Sequence, residues 1–283
     1  MMGVDQIAAW MRRRRAGRRG FNPYIAGTPV FDGKLFFGRE SATRRALEGV
    51  ESGSLRVTGE RRIGKTSFLH HLRGVLASQE GGRQVFPVFV DLESVTAPGP
   101  LHALLEETVE SLGVPGHLRA GLGLDAIDRR YGTADFTRDL RRVLDELHAR
   151  AGRPSRLVYL IDEADALVDP PGLGEQWLAS LMNGWSDEVR VVLAGVKRDG
   201  RGRLQALDEI ELTPLTKEAG EALVRQPVAG VFDYEAGAVA RILERGRLRP
   251  YLIQRLCIRS IERVRAEGRT VVRESDVDSE AGP

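Results

Sequence analysis

Five short apolar runs lie along the middle of the chain, and longer stretches with helical periodicity separate them. Apolar positions in those longer stretches recur every three or four residues, which is typical of helices that bury one face. Short buried strands that alternate with amphipathic helices indicate an α/β fold on a mainly parallel sheet. The predicted strands are Leu55–Thr58, Val85–Val90, Leu157–Ile161, Val189–Ala194 and, more weakly, Ile210–Leu212.

Helices are predicted before, between and after these strands. One covers residues 41–51, and the Gly- and Asp-rich stretch 112–134 is predicted to be a loop-bearing insertion. After Pro214 the strand pattern ends and helices take over, with Thr216 as a favourable N-cap and a later helix that begins near Pro250. Two helical stripes between strands are formed by Phe68, Leu69, Leu72, Val75 and Leu76, and by Phe136, Leu140, Val143, Leu144 and Leu147.

The composition is that of a globular protein with ample material for a core. Of 283 residues, 42% are hydrophobic and 29% are charged, which excludes a chain that is disordered throughout. No stretch holds the roughly 18 consecutive apolar residues of a membrane-spanning helix. The lone cysteine, Cys257, excludes an internal disulfide. These features predict a soluble cytoplasmic protein that has no membrane partner.

The net charge of +2 hides a basic N-terminal arm over residues 1–20. Such an arm can neutralise nucleic-acid phosphates without reading their sequence. It can equally be a solubilising tail or a contact for an acidic protein, and these alternatives stay open. The arm carries Arg12, Arg13, Arg14, Arg15, Arg18 and Arg19 against one acid, Asp5.

The first predicted strand runs directly into a glycine-rich loop that is followed by an amphipathic helix. The loop fits the pattern G-x-x-x-x-G-K-[ST], in which backbone N–H groups converge on a phosphate and the helix N-terminus adds partial positive charge. Lys65 is predicted to contact the β and γ phosphates, and the Thr66 hydroxyl to bind Mg²⁺. The predicted phosphate-binding residues are Gly59, Glu60, Arg61, Arg62, Ile63, Gly64, Lys65, Thr66 and Ser67.

Two carboxylates follow the third predicted strand. The run Leu157–Ile161 is continuously apolar, as parallel strands buried on both faces are, and Asp162 and Glu163 come directly after it. We predict that Asp162 holds Mg²⁺ through water and that Glu163 orients or deprotonates the water that attacks the γ-phosphate. A plain strand end is the alternative interpretation.

With these motifs, the chain resembles the P-loop ATPases of the AAA+ and STAND superfamily, and is most similar to bacterial and archaeal members grouped with origin-recognition and signal-transducing ATPases. The resemblance covers most of residues 21–265. It rests on the following segments: Asn22-Pro23-Tyr24, Phe37-Gly38-Arg39-Glu40, Gly59–Ser67, Leu160-Ile161-Asp162-Glu163, Leu212–Thr216 and Pro250–Cys257.

The resemblance implies a three-layer P-loop core over residues 21–213 and a small all-helical lid over residues 214–283, after the arm at 1–20. It places the segment Phe37, Gly38 and Arg39 near the adenine of ATP, and Pro250 near the base from the lid side. From the residues alone, Phe37 and Arg39 would be a packing residue and a surface charge, and Pro250 would be a helix-start residue.

The chain departs from the family pattern after the strand Val189–Ala194. A polar γ-phosphate sensor is common there, but Gly195 and Val196 are followed by Lys197 and Arg198, which are its candidate replacements. Arg249 is a second candidate phosphate sensor. Arg198, Arg201 and Arg203 are candidate arginine fingers, although ordinary solvated loop charges are the alternative interpretation.

The resemblance implies an ATPase that uses ATP and Mg²⁺ to switch a conformation or an assembly. Its predicted partners are ATP, a second copy or a protein client, and nucleic acid through the arginines of the arm. Two other roles remain open, a non-hydrolysing nucleotide-sensing scaffold and a DNA-loaded ATPase of the transposition or replication type.

Overall fold

The structure, a computed structural model, describes residues 21–31, 33–79, 82–93, 95, 99–125, 131–164, 185, 187–195 and 207–278. The basic arm lies outside the described residues, as do Lys197, Arg198, Arg201 and Arg203. The chain forms two compact units. One holds Ser41–Gly59 and Phe68–Leu212, and the other holds Glu60–Ser67 with the described residues up to Glu40 and from Thr213 onward. The predicted core and lid boundaries stay a prediction.

The first unit is built on a five-stranded sheet in which every neighbouring pair of strands is parallel. The strand order is β2-β3-β4-β1-β5. Strands β3 and β4 are buried at every position, as expected for a parallel sheet covered on both faces. This confirms the predicted fold class. The strands are β1 (Leu55–Gly59), β2 (Gln84–Asp91), β3 (Ser155–Asp162), β4 (Val189–Ala194) and β5 (Asp208–Leu212).

Helices flank this sheet, and both predicted apolar stripes form their buried faces, apart from Val75, which is half-buried. The predicted insertion at 112–134 contains a short helix and a 3₁₀ turn at Gly123–Asp125 before the next long helix begins. A helix at Pro100–Ser111 was not predicted. The helices are α1 (Glu40–Ser52), α2 (Lys65–Ala77), α3 (Pro100–Ser111), α4 (Gly116–Arg119) and α5 (Thr133–Ala151).

The second unit is mainly helical after Pro214, as predicted. Thr216 caps its first helix, since the Thr216 hydroxyl accepts a hydrogen bond from the Ala219 N–H at 3.2 Å. The prediction of an all-helical lid needs one correction, because two short strands pair in parallel within it. The elements are α6 (Lys217–Arg225), β6 (Asp233–Tyr234), α7 (Ala236–Gly246), α8 (Pro250–Ala266), β7 (Val271–Val272) and α9 (Glu274–Asp278).

The extended segment that begins at residue 21 is anchored on these helices. The Asn22 side-chain amide donates to the Ile258 carbonyl at 3.1 Å, and the Ile25 N–H donates to the Gln254 side chain at 2.9 Å. The buried Tyr24 hydroxyl donates to a backbone carbonyl of α6 and joins the apolar core of the unit. Contacts between residues that are far apart in the sequence therefore hold this segment, which leads into helix α1 and is called the lead-in segment below, in place.

Among the helices that the structure describes, none combines the length and apolar character needed to cross a membrane.

Candidate functional site

The predicted glycine-rich loop connects strand β1 to helix α2, in the strand–loop–helix order that its motif requires. β1 ends at Gly59, and α2 begins at Lys65. The backbone turns through positive φ at Gly59 (149°), Arg62 (64°) and Gly64 (102°). Changes of this kind between successive residues turn backbone N–H groups toward one side and create an anion-binding concavity. The N-terminus of α2 adds its dipole to that concavity.

Hydrogen bonds within the second unit fix the loop. The Glu60 carbonyl accepts bonds from the Ile63 N–H and from the Lys65 ammonium, both at 3.3 Å. The Ser67 hydroxyl accepts a bond from the Val30 N–H at 3.0 Å. The Ile63 side chain is only 1% exposed, so the middle of the loop is buried. These hydrogen bonds and this burial therefore hold the loop in one conformation.

Two loop side chains contact the start of helix α8. The Glu60 carboxylate pairs with the Arg249 guanidinium at 2.5 Å. The Arg62 guanidinium lies 4.7 Å from the centre of the Tyr251 ring, within the range of a cation–π contact. Pro250 stands between these two residues in the first turn of α8, the position where its missing N–H costs nothing. The sequence suggested Arg249 as a phosphate sensor but gave no signal for Tyr251.

The segment predicted to lie near the adenine is packed in the same unit. Phe37 is partly buried against the helical core. Gly38 has φ of 68°, and a Cβ there would lie 2.5 Å from the Ala219 Cβ, so only glycine fits. Arg39 is 8% exposed, and burial lowers the pKa of its guanidinium. Arg39 is thus not the surface charge that its sequence context alone offered, and its role at adenine stays a prediction.

The predicted acidic pair lies at the end of strand β3. Asp162 is the last residue of β3 and is 2% exposed. Its carboxylate accepts a hydrogen bond from the Glu163 N–H at 3.0 Å, and Glu163 follows with φ of 49°. Left-handed backbone at a non-glycine residue is uncommon and concentrates at functional sites. This backbone distinguishes the end of β3 from a regular strand terminus, and the roles of Asp162 and Glu163 stay a prediction.

Strand topology relates this acid to the start of the loop. Strands β1 and β3 are both parallel to β4, which separates them, so Gly59 and Asp162 end at the same carboxyl edge of the sheet. Ligands of open α/β sheets bind outside this edge. The order of the strands thus places the acid and the strand that leads into the loop at the functional edge.

His70, one of two histidines in the helix after the loop, packs against an aromatic ring. The His70 ring lies 4.1 Å from the Phe89 ring, and its pKa is lowered, first by burial and then by Arg73. Over the described ranges, no group of three His, Cys, Asp or Glu residues is placed to hold a metal. His70 therefore packs against an aromatic ring, and its lowered pKa favours the neutral imidazole.

Comparison with known proteins assigns the chain to a family. A model of the AAA domain matches residues 50–204, more than half of the chain. No curated protein sequence matches it. Among solved structures, the ORC2 protein of Aeropyrum pernix is similar at 18% identity and a TM-score of 0.60, over 93% of this chain and 70% of that one.

Two further structures show the same fold. Drosophila ORC bound to DNA is 16% identical with a TM-score of 0.61, over 96% of this chain and 72% of that one. The Holliday junction branch migration motor RuvB of Thermotoga maritima is 14% identical with a TM-score of 0.51, over 86% of this chain and 68% of that one. With its strand–loop–helix motif and its matched domain, the chain belongs to the AAA domain family and is a P-loop ATPase.

Proposed function

We propose that this ATPase is a Mg²⁺-dependent switch in which the nucleotide state changes the contacts of the helical unit. Membership of the AAA family implies that the chain binds and hydrolyses a nucleotide. Magnesium dependence, the roles of individual residues and the switch itself go beyond that membership. The observation that carries the proposal is the held loop between β1 and α2, with positive φ at Gly59, Arg62 and Gly64.

The residue types at the loop suit a triphosphate. Backbone N–H groups from Gly59 to Gly64 would face the phosphates, Lys65 would add a full positive charge, and Ser67 would support the loop through its bond to Val30. These groups neutralise and position a polyanion without covalent chemistry, which is the main requirement for phosphoryl transfer.

The two predicted magnesium ligands are both oxygen donors. Thr66 offers a hydroxyl in the first turn of α2, and Asp162 offers a buried carboxylate at the carboxyl edge of the sheet. Hard oxygen ligands of this kind are what Mg²⁺ prefers. When bound, the ion would neutralise charge on the phosphates. Glu163 would accept a proton from the attacking water or orient it.

Contacts between the loop and helix α8 give the proposed switch its physical basis. Glu60 and Arg62 of the loop contact Arg249 and Tyr251 at the start of that helix. A phosphate bound at the loop would compete with Glu60 for the Arg249 guanidinium, because both are anions. The occupied and empty loop would then favour different arrangements of α8, which is a population shift driven by differential contacts.

A matched set of variants tests the residue roles. We expect Lys65→Ala to abolish nucleotide binding, and Glu163→Gln to retain ATP but lose turnover. Binding is measured by calorimetry with and without Mg²⁺, and turnover by phosphate release. Lys217→Ala and Glu221→Gln, which alter an exposed pair at 4.0 Å on α6, serve as controls and should change neither quantity. Normal phosphate release by Glu163→Gln would contradict its role.

DNA binding is a second candidate function. Drosophila ORC was solved bound to DNA, and the ORC1 protein of Aeropyrum pernix in complex with DNA. The six arginines between Arg12 and Arg19 would supply the phosphate contacts. A gel-shift titration over a range of salt concentrations, with the intact chain and with those arginines replaced, tests this role. The absence of a shift at low salt would exclude it and favour a protein client or self-association.

A further inference from the structure

Arg39 lies immediately before helix α1, and its guanidinium donates hydrogen bonds to two backbone carbonyls. One belongs to Thr213, at 2.7 Å, and the other belongs to Ile63 in the loop, at 3.3 Å. All three residues are in the second unit. Because a guanidinium is a rigid planar fork, it fixes the two carbonyls relative to each other.

The carbonyl of Ile63 shares a peptide group with the N–H of Gly64. In a planar trans peptide, the C=O and the N–H point in opposite directions. A bond that holds the Ile63 carbonyl toward Arg39 therefore turns the Gly64 N–H away from Arg39. The orientation of one donor of the phosphate loop thus follows from the position of the arginine.

The loop sequence alone does not fix that orientation. Gly64 has φ of 102° and nothing lies within 4 Å of where its Cβ would be, so no neighbouring atom packs against that side of its Cα. Glycine populates positive and negative φ about equally, and a rotation of the Ile63–Gly64 peptide is therefore accessible to the loop. An external restraint is needed to keep the N–H in one direction.

The other contacts of Ile63 leave this task to Arg39. The Ile63 N–H is bonded to the Glu60 carbonyl, and its side chain is buried. These contacts hold the residue on the N-terminal side of its carbonyl. They do not hold the Ile63–Gly64 peptide, which comes next in the chain. Its carbonyl oxygen is the atom that Arg39 contacts.

The geometry points to Arg39 as a positioning residue that orients the Gly64 amide toward bound phosphate. This inference rests on the proposed triphosphate site and adds a role for a residue that the resemblance assigned to the adenine. Arg39 acts through the loop backbone, so it contributes to binding of the phosphate chain whether or not a base is attached.

Inorganic tripolyphosphate separates the two roles, because it carries the phosphates of ATP without a base. Isothermal titration calorimetry with Mg²⁺ compares ATP and tripolyphosphate binding to the wild type, Arg39→Lys and Arg39→Gln. Lysine keeps the charge but lacks the fork that bridges two carbonyls. We expect both variants to bind both ligands about tenfold to a hundredfold more weakly, the loss typical of a hydrogen bond from a charged group.

The control is Arg45→Lys, which alters an arginine on α1 that also donates to a backbone carbonyl, that of Glu209 at 2.9 Å, outside the loop. It should bind both ligands as the wild type does. Weaker binding of ATP alone by the Arg39 variants would show a base contact and overturn the inference. Unchanged binding by Arg39→Lys would show that only charge matters, and would also overturn it.

Thiol labelling of the buried Cys257 reports whether each variant is folded. Loss of the fold by both Arg39 variants would contradict a role confined to loop orientation. A wild-type chain that binds neither ligand would instead refute the proposed triphosphate site, so the two failures are distinguishable.

Discussion

Replacement of Gly38 by alanine tests how closely the lead-in segment packs on helix α6. Gly38 has φ of 68°, and an added Cβ would lie 2.5 Å from the Ala219 Cβ and 3.3 Å from the Leu215 Cδ2. The Ala219 Cβ is fixed to the helix backbone, so it cannot rotate away. The substitution therefore combines backbone strain with a steric clash.

Gly27 provides a control that isolates the strain. It also has positive φ, 101°, but nothing lies within 4 Å of where its Cβ would be. A left-handed non-glycine residue costs about 1–2 kcal/mol, which both variants share. Overpacking adds about 1–3 kcal/mol for Gly38→Ala only. The expected difference in the free energy of unfolding between the two variants is therefore about 1–3 kcal/mol.

The sole cysteine of the chain is a natural probe of this unit. Cys257 is fully buried in the same helical core as Leu215, and burial raises the pKa of its thiol to about 12. An alkylating reagent reacts only when the unit opens. We expect Gly38→Ala to be labelled about 5- to 150-fold faster than Gly27→Ala, the rate ratio that corresponds to 1–3 kcal/mol. Equal labelling rates would refute the close packing at Gly38.

Three further predictions concern stability, each measured by denaturant unfolding. Thr216→Ala removes the N-cap bond of α6 and should cost about 1 kcal/mol, whereas Thr216→Ser should cost little. Asp139→Asn should cost about 2–4 kcal/mol, since the fully buried Asp139 carboxylate accepts hydrogen bonds from the Gly123 N–H, the Tyr131 hydroxyl and Arg138. The control is Asp145→Asn on the same helix, which should be near neutral because Asp145 is exposed. Arg269, and then the Arg273 N–H, hold the pKa of Asp276 below its usual 3.8. The ionised Asp276 therefore stabilises the fold at neutral pH and ceases to do so as the pH falls through this lowered pKa. The difference in the free energy of unfolding between wild type and Asp276→Asn should shrink below about pH 4. A difference independent of pH would contradict the pairing of Asp276 with Arg269.

The sheet and the loop could be predicted because their signals are local. Each predicted apolar run lies within an observed strand, and the strands extend past the runs where backbone pairing continues through polar residues such as Ser155 and Asp208. The loop motif is a contiguous pattern between a strand and a helix. Helix α3 also has a local signal, namely Pro100 at its start and leucines at 101, 104 and 105 with helical spacing.

Other features depend on partners that are distant in sequence. Strands β6 and β7 have two residues each, too few to show a period, and they form because they pair with one another. The contacts of Arg39 with Ile63 and of Glu60 with Arg249 bring together charged and polar groups that no spacing rule relates. The residue type alone predicts that Arg39 is a charge at the surface, whereas the fold buries its guanidinium next to two backbone carbonyls.

Calorimetric titration of the wild-type chain with ATP in the presence of Mg²⁺, with Lys65→Ala titrated in parallel, shows whether the loop between β1 and α2 binds the triphosphate. We expect saturable binding of one nucleotide per chain, loss of that binding in Lys65→Ala, and weaker binding when Mg²⁺ is chelated. Equal binding by the wild type and Lys65→Ala, or no binding by either, would contradict the assignment of the loop between β1 and α2 as the triphosphate site.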